Sequence, residues 1–146
     1  TEVAQVAQEL GSISSRRLNR VAILSTRSEQ CREIVKLLKE HGIKAVFQKS
    51  ETYGSVPDTH LRVMPLQGVK GIEFEAVYII GLNKDFPKVH NSTTDEGLIE
   101  LEEQHRRYLF VAMTRAIQFL TVSIPQRTYE PLFNGFSNDL WEVNDF

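Results

Sequence analysis

Between Val21 and Phe47 the chain carries an apolar run, an amphipathic stretch and a second apolar run, and that order leaves few folds open. Val21-Ala22-Ile23-Leu24 is apolar at consecutive positions, which suits a strand buried on both faces. The next segment, from Ser28 as a candidate cap to about Glu40, places Cys31, Ile34, Val35 and Leu38 on one helical face and closes on His41-Gly42. Lys44-Ala45-Val46-Phe47 then reads as another strand. Two strands joined through a helix run parallel, because a parallel pair needs a crossover that a tight hairpin cannot supply.

The rest of the chain extends this pattern. Arg62 to Leu66 reads as a third strand and Ala76 to Ile80 as a fourth, ending at Gly81. A long helix from about Leu98 to Ala116 carries Leu101, His105, Tyr108, Leu109 and Ala112 on one face, with Glu102→Arg106 and Glu103→Arg107 pairs on the other. A fifth strand, Phe119 to Ile124, stops at Pro125. A short amphipathic helix over residues 2–10 precedes all of this, with Val3, Val6, Ala7 and Leu10 as its stripe and Gly11-Ser12 as its end. Residues 48–61 read as a loop and residues 83–97 as polar and turn-rich. The tail aromatics Phe133, Phe136, Trp141 and Phe146 read as a terminal helix and segment packed on the sheet. The expectation is a single α/β domain over residues 1–146, in three layers, with a mostly parallel sheet and helices on both faces.

Composition narrows the functions open to such a domain. The net charge is -2, so any nucleic-acid role must rest on local features rather than a global basic field. Cys31 is the single cysteine, which precludes an internal disulfide and fits a reducing cytoplasm. The four histidines are scattered, no Cys/His pair has zinc spacing, and no metal-ligand set is expected. No apolar run approaches the roughly 20 residues of a membrane span. The start lacks both an initiator Met and the apolar core of a signal peptide, so the chain reads as a fragment of a larger cytoplasmic protein.

Two segments could carry chemistry. The first is Val69-Lys70-Gly71-Ile72-Glu73-Phe74-Glu75-Ala76-Val77, after the third strand, where open α/β sheets bind ligands beyond the strand ends. Lys70 can hold a phosphate or carboxylate, Gly71 permits a positive φ, and Glu73 can accept from a ribose hydroxyl. A charged surface turn anchored by Ile72 and Phe74 explains the same residues. The second runs from Glu102 to Ala116. A solvated amphipathic helix explains most of it. Arg115 at its end either answers the helix dipole or is an arginine finger aimed at a neighbouring domain's nucleotide.

The first segment is similar to motif V of the superfamily 1, UvrD/Rep-like DNA helicases, with its Lys-Gly-(Leu/Ile)-Glu-Phe core before an apolar strand. The second resembles their motif VI through Glu102-Glu103, Arg107, Val111-Ala112 and Thr114-Arg115-Ala116. Together with the opening strand, helix and strand, the likeness covers roughly residues 20 to 125. It implies the second, C-terminal RecA-like motor domain of an ATP-dependent helicase, working beside an N-terminal RecA-like domain that binds most of the ATP and Mg²⁺. It implies that Arg115 reaches the γ-phosphate, where a guanidinium fork answers the charge of phosphoryl transfer. It implies that Lys70, Gly71 and Glu73 approach the nucleotide, Glu73 near its sugar. The family's motif V often opens Thr-x-His, and Pro65 and Gln67 stand at those positions here. Gln67 can still bond a phosphate or base of single-stranded DNA, and Arg27, with Arg16, Arg17 and Arg20, can contact phosphates. Residues 48–61 replace the large helical insertion of most members. No G-x-x-x-x-G-K-[ST] loop and no DEAQ-type carboxylate motif occurs, so the isolated chain is expected to be inactive. A non-catalytic docking module and a free-standing nucleotide-binding enzyme are the rival readings.

Overall fold

The computed structural model describes residues 1–13, 15–50, 55–82, 94–124, 133, 136, 137 and 139–144, with the side chains of Ser15 and Arg16 left aside. Among these residues there are five strands and three α-helices. They are α1 (Glu2–Leu10), β1 (Val21–Ser25), α2 (Ser28–Glu40), β2 (Ala45–Phe47), β3 (Leu61–Pro65), β4 (Phe74–Ile79), α3 (Asp95–Met113) and β5 (Ala116–Val122). All strand pairs are parallel, in the order β2-β3-β1-β4-β5. The expected mostly parallel α/β sheet is thus parallel throughout its described strands.

Alternation along the strands divides the core in two. Val21, Ile23, Leu61, Val63, Ala76 and Tyr78 face α1 and α2, where they meet Val6, Leu10, Cys31, Ile34 and Leu38. Ala22, Leu24, Met64, Val77 and Ile79 face α3 and meet Leu109 and Ala112. This gives the three layers. Central β1 is buried along its whole length, as its unbroken apolar run requires. Edge strand β5 is different: Leu120 and Val122 pack toward α3, while Phe119 on the other side is 66% exposed. Of the tail aromatics, Phe133 and Phe136 pack against the α3-side cluster. Trp141 stacks on Phe136 with ring centroids 4.7 Å apart, the described residues 139–144 form no helix, and Phe146 lies outside the described residues.

Several boundaries differ from the sequence reading for local reasons. Ser28 is the first helical residue of α2 rather than its cap; Arg27 holds the N-cap position and makes no side-chain capping bond. Helix α3 begins at Asp95 because Thr94 caps it, its side chain accepting from the Gly97 amide at 3.1 Å. The helix ends at Met113, not Ala116. The Thr114 hydroxyl donates to the Val111 carbonyl at 2.8 Å, and the chain turns so that Ala116 already pairs in β5. Two short 3-10 turns, Ser15–Arg20 and Leu66–Gly68, were not legible.

Helix α1 is clamped to the sheet by carboxylates. Glu2 accepts from the Gly81 amide at 3.2 Å and from the Ser123 hydroxyl at 2.6 Å, tying together the ends of β4 and β5. Beside it, Ser25 donates to the Ile80 carbonyl at 2.9 Å, and the Gln30 amide donates to the Gly81 carbonyl at 3.3 Å. Deeper in the layer, burial and then the Glu9 carboxylate, which accepts from the phenol, push the Tyr78 hydroxyl up to about 12.

Candidate functional site

The motif between β3 and β4 does not stay at the strand ends where the sequence reading put it. The 3-10 turn Leu66–Gly68 sits directly past β3, and the chain then returns along the α3 side, anchored by Leu66, Val69 and Phe74. It re-enters the sheet at the start of β4. Two glycines make the return possible. A Cβ on Gly68 would lie 2.0 Å from the Lys49 carbonyl oxygen, so only glycine permits that approach. Gly71 turns the chain at a φ of 77°, a region costly for other residues.

This path brings Glu73 to Arg115. Phe74 is the register partner of Ala116, and the Phe74 amide donates to the Arg115 carbonyl at 2.8 Å. The residues just before these partners, Glu73 and Arg115, therefore stand side by side at the edge where the strands begin. Glu73 is exposed and lines a groove of about 370 Å³ with Asn19, Arg20, Glu75, Ile117 and Gln118. Arg115 is half-buried. Its Nη2 donates to the Thr114 hydroxyl at 3.3 Å, but its Nε is buried without a hydrogen-bond partner. Among the described residues no carboxylate pairs with it. A buried donor left unmade costs about 1–3 kcal/mol, so the local structure does not complete this guanidinium. Lys70 and Gly71 are exposed in the turn leading to Glu73.

The DNA candidates sort differently. Ser25 of β1 pairs in register with Pro65 of β3, and Arg27 and Gln67 each follow two residues later. Both are exposed at the edge where the strands end, the opposite edge from Glu73 and Arg115. Arg17 and Arg20 precede β1 and so lie on the strand-start side, away from Arg27. Arg20 forms an ion pair with Glu75 at 3.4 Å. The side chain of Arg16 lies outside the described ones. Arg107 pairs with Glu103 at 4.0 Å on an exposed helix face, a contact worth little in water.

One group near the site escaped the sequence reading. Arg62 interrupts the apolar β3 and reaches toward the strand-start edge, where its Nη1 donates to the Asn19 carbonyl at 3.0 Å. A cation inside a strand of otherwise apolar residues was the available signal. Among the described residues no three His, Cys, Asp or Glu side chains gather to hold a metal ion. The donors on this edge fit a phosphate, whose oxygens could take the free Arg115 N–H groups, better than a cation.

The chain is thus an all-parallel α/β domain with a glutamate and an incompletely bonded arginine side by side at one sheet edge. Residues 47–127, more than half the chain, match the family model for the UvrD-like helicase C-terminal domain, and the chain belongs to that family. It is similar to the ATP-dependent DNA helicase Rep of Buchnera aphidicola, 27% identical over 130 residues that cover 81% of this chain and 19% of that protein. A probable DNA helicase of Mycoplasma pneumoniae is 40% identical over 68 residues, 46% of this chain and 12% of that protein. The chain thus spans a fifth or less of the length of these curated relatives. The crystal structure of the C-terminal domain of a possible DNA helicase from Lactobacillus plantarum superposes with a TM-score of 0.62 over 90% of this chain and 75% of that one; at 24% identity it establishes the fold.

Proposed function

We propose that this chain is the second motor domain of an ATP-dependent DNA helicase or translocase, completing an ATP site held mainly by an N-terminal RecA-like domain of the same protein. The observation that carries the reading is the placement of Glu73 beside Arg115 in the backbone register at the strand-start edge, with the Arg115 Nε buried and unpartnered. In this reading the bound nucleotide with its Mg²⁺ supplies the phosphoryl group that is transferred. Arg115 orients its guanidinium fork toward the γ-phosphate oxygens and stabilises the charge they carry in transfer. Glu73 accepts from the nucleotide sugar, and the Lys70-Gly71 turn holds Glu73 in place. Gln67 and Arg27, at the far edge, contact the backbone of single-stranded DNA. Because the two edges are joined by rigid parallel strands, closing the domain on a nucleotide at one edge moves the DNA-facing edge as a body. A reducing compartment suits this reading, because Cys31 is a free, buried thiol.

The test is Arg115→Ala in the full-length protein, read as DNA-stimulated phosphate release. Turnover falls on the order of 10³-fold, the range of an arginine finger. Ground-state ATP affinity changes less, and circular dichroism stays native. Near-parental turnover in a folded variant removes the motor reading and leaves a docking module.

A further inference from the structure

We propose that Arg62 is a positioning residue for Arg115, acting through Phe74. The inference rests on the reading of Arg115 given above, but its geometry stands apart from it. The rung that holds Arg115 is the first of its strand pair and adjoins a bulge. Phe74 pairs with Ala116 and Ala76 with Phe119, so the β4–β5 register slips between them and leaves Ile117 and Gln118 outside the regular pairing. The hydrogen bond from the Phe74 amide to the Arg115 carbonyl therefore lies at the start of the strand pair, separated from the regular ladder by a bulge. It needs support from the side.

Arg62 supplies that support. On β3 it alternates with Leu61 and Val63, which face α1 and α2, so its side chain leaves on the α3 side. Its register partner on β1 is Ala22, fully buried and small, which leaves room for a long side chain to cross toward the strand-start edge. The guanidinium ends 5.7 Å from the centroid of the Phe74 ring, within cation–π range, and donates to the Asn19 carbonyl. Asn19 is itself fixed, its side-chain amide donating to Asp58 at 2.8 Å. The Phe74 ring is 1% exposed. It is thus held by α3-side packing and by an anchored arginine, and its amide holds Arg115.

The energetics argue against a purely structural role. The Arg62 Nε is buried with no hydrogen-bond partner, and no carboxylate among the described residues pairs with this cation. An apolar residue at this place in β3 would leave no buried donor unmet. A half-satisfied arginine beside the ring that positions Arg115 is what a site tuned for geometry would keep.

Two measurements test the proposal. The first uses this 146-residue chain with Arg62→Gln and reads amide exchange by NMR. The Phe74 amide exchanges roughly tenfold faster, while Val77, in the regular ladder, stays within about twofold. Equal change at both amides, or none at Phe74, overturns the proposal without touching the reading of Arg115. The second uses the full-length protein. Arg62→Gln lowers kcat about tenfold with KM nearly constant, and combined with Arg115→Ala it adds no further loss in single-turnover hydrolysis. Losses that multiply in the double variant overturn it. If Arg62→Gln does not fold, Arg62→Lys keeps the cation and the aliphatic stem; it lowers kcat about threefold, and the same non-additivity is required of it. Parental turnover in Arg115→Ala would instead strike the functional reading, so the two failures are distinguishable.

Discussion

The two edges of this sheet are built on opposite principles. Where β1, β4 and β5 end, the described polar groups beside α1 answer one another: Glu2 takes the Gly81 amide and the Ser123 hydroxyl, and Ser25, Thr26 and Gln30 bond one another and the segment just past β4, though Gln48 Oε1 past β2 is buried without a hydrogen bond. Where the strands begin, Arg115 and Arg62 each bury an Nε with nothing to bond. A closed network stabilises the fold, whereas an open one is tolerated when a ligand or neighbouring domain completes it. The contrast sets an edge whose polar groups bond one another against an edge that keeps two arginine donors unmet, with the exposed Arg27 and Gln67 standing just outside the closed network.

The sharpest way to break that contrast is to change the shape of Arg115 while keeping its charge. Arg115→Lys in the full-length protein leaves DNA-stimulated turnover within about tenfold of the Arg115→Ala level, because an ammonium cannot reproduce the planar fork. Arg107→Ala, which loses only an exposed pair with Glu103, keeps turnover within about twofold of the parent. Comparable turnover in Arg115→Lys and the parent would mean that charge alone matters at this edge.

The strand-end edge should respond in stability, not in chemistry. Glu2→Ala strips the acceptor from two groups at once and lowers the unfolding free energy by about 2–4 kcal/mol, from about 1–3 kcal/mol for each donor left unmet with partial relief by water. Denaturant titration of the chain measures this, and turnover per folded full-length molecule stays unchanged. A loss of turnover with no loss of stability would merge the two edges into one functional unit. The Tyr78–Glu9 contact that also holds α1 gives a pH signature. The folded phenol is raised from its ordinary 10 to about 12, so its contribution is complete below about pH 10 and is lost as pH rises toward about 12. Tyr78→Phe flattens that alkaline limb, as a stability curve between pH 9 and 12 reads directly.

The sequence disclosed one half of this contrast better than the other. The parallel sheet was legible because Val21-Ala22-Ile23-Leu24 and its following helix admit almost no other arrangement, and the family was legible because the segments around Glu73 and Arg115 match its motifs densely. Which edge they occupy was not legible. Spacing placed the Lys70–Glu73 turn beyond the end of β3, but the choice was made by a close backbone approach, Gly68 against Lys49, that no periodicity encodes. Arg62 was lost for a related reason. A strand reading sees a polar residue among apolar ones, yet its reach to Phe74 depends on the small Ala22 one strand away. The start of β5 was misjudged because Ile117 and Phe119 are apolar but exposed, at 63% and 66%, so hydrophobicity there did not track burial.

The smallest expected effect decides whether the strand-end edge touches DNA at all. Arg27 is exposed and makes no side-chain cap on α2, so Arg27→Ala removes a charge with little consequence for packing. If Arg27 meets a phosphate, its loss releases one counterion fewer on binding. The slope of log K against log salt then falls by about 0.7 for single-stranded DNA, and affinity drops a few-fold at moderate salt. The same change should act equally on every DNA sequence, because a phosphate contact positions without reading bases. Gln67→Ala, by contrast, removes a neutral hydrogen bond: it weakens binding a few-fold and leaves the slope alone. Arg20→Ala provides the control from the other edge, since Arg20 is engaged with Glu75 in the groove that Glu73 lines. Fluorescence anisotropy of the full-length protein on single-stranded DNA at several salt concentrations separates the three. A slope that falls for Arg20→Ala and holds for Arg27→Ala would place the DNA on the strand-start edge and dissolve the division between the two.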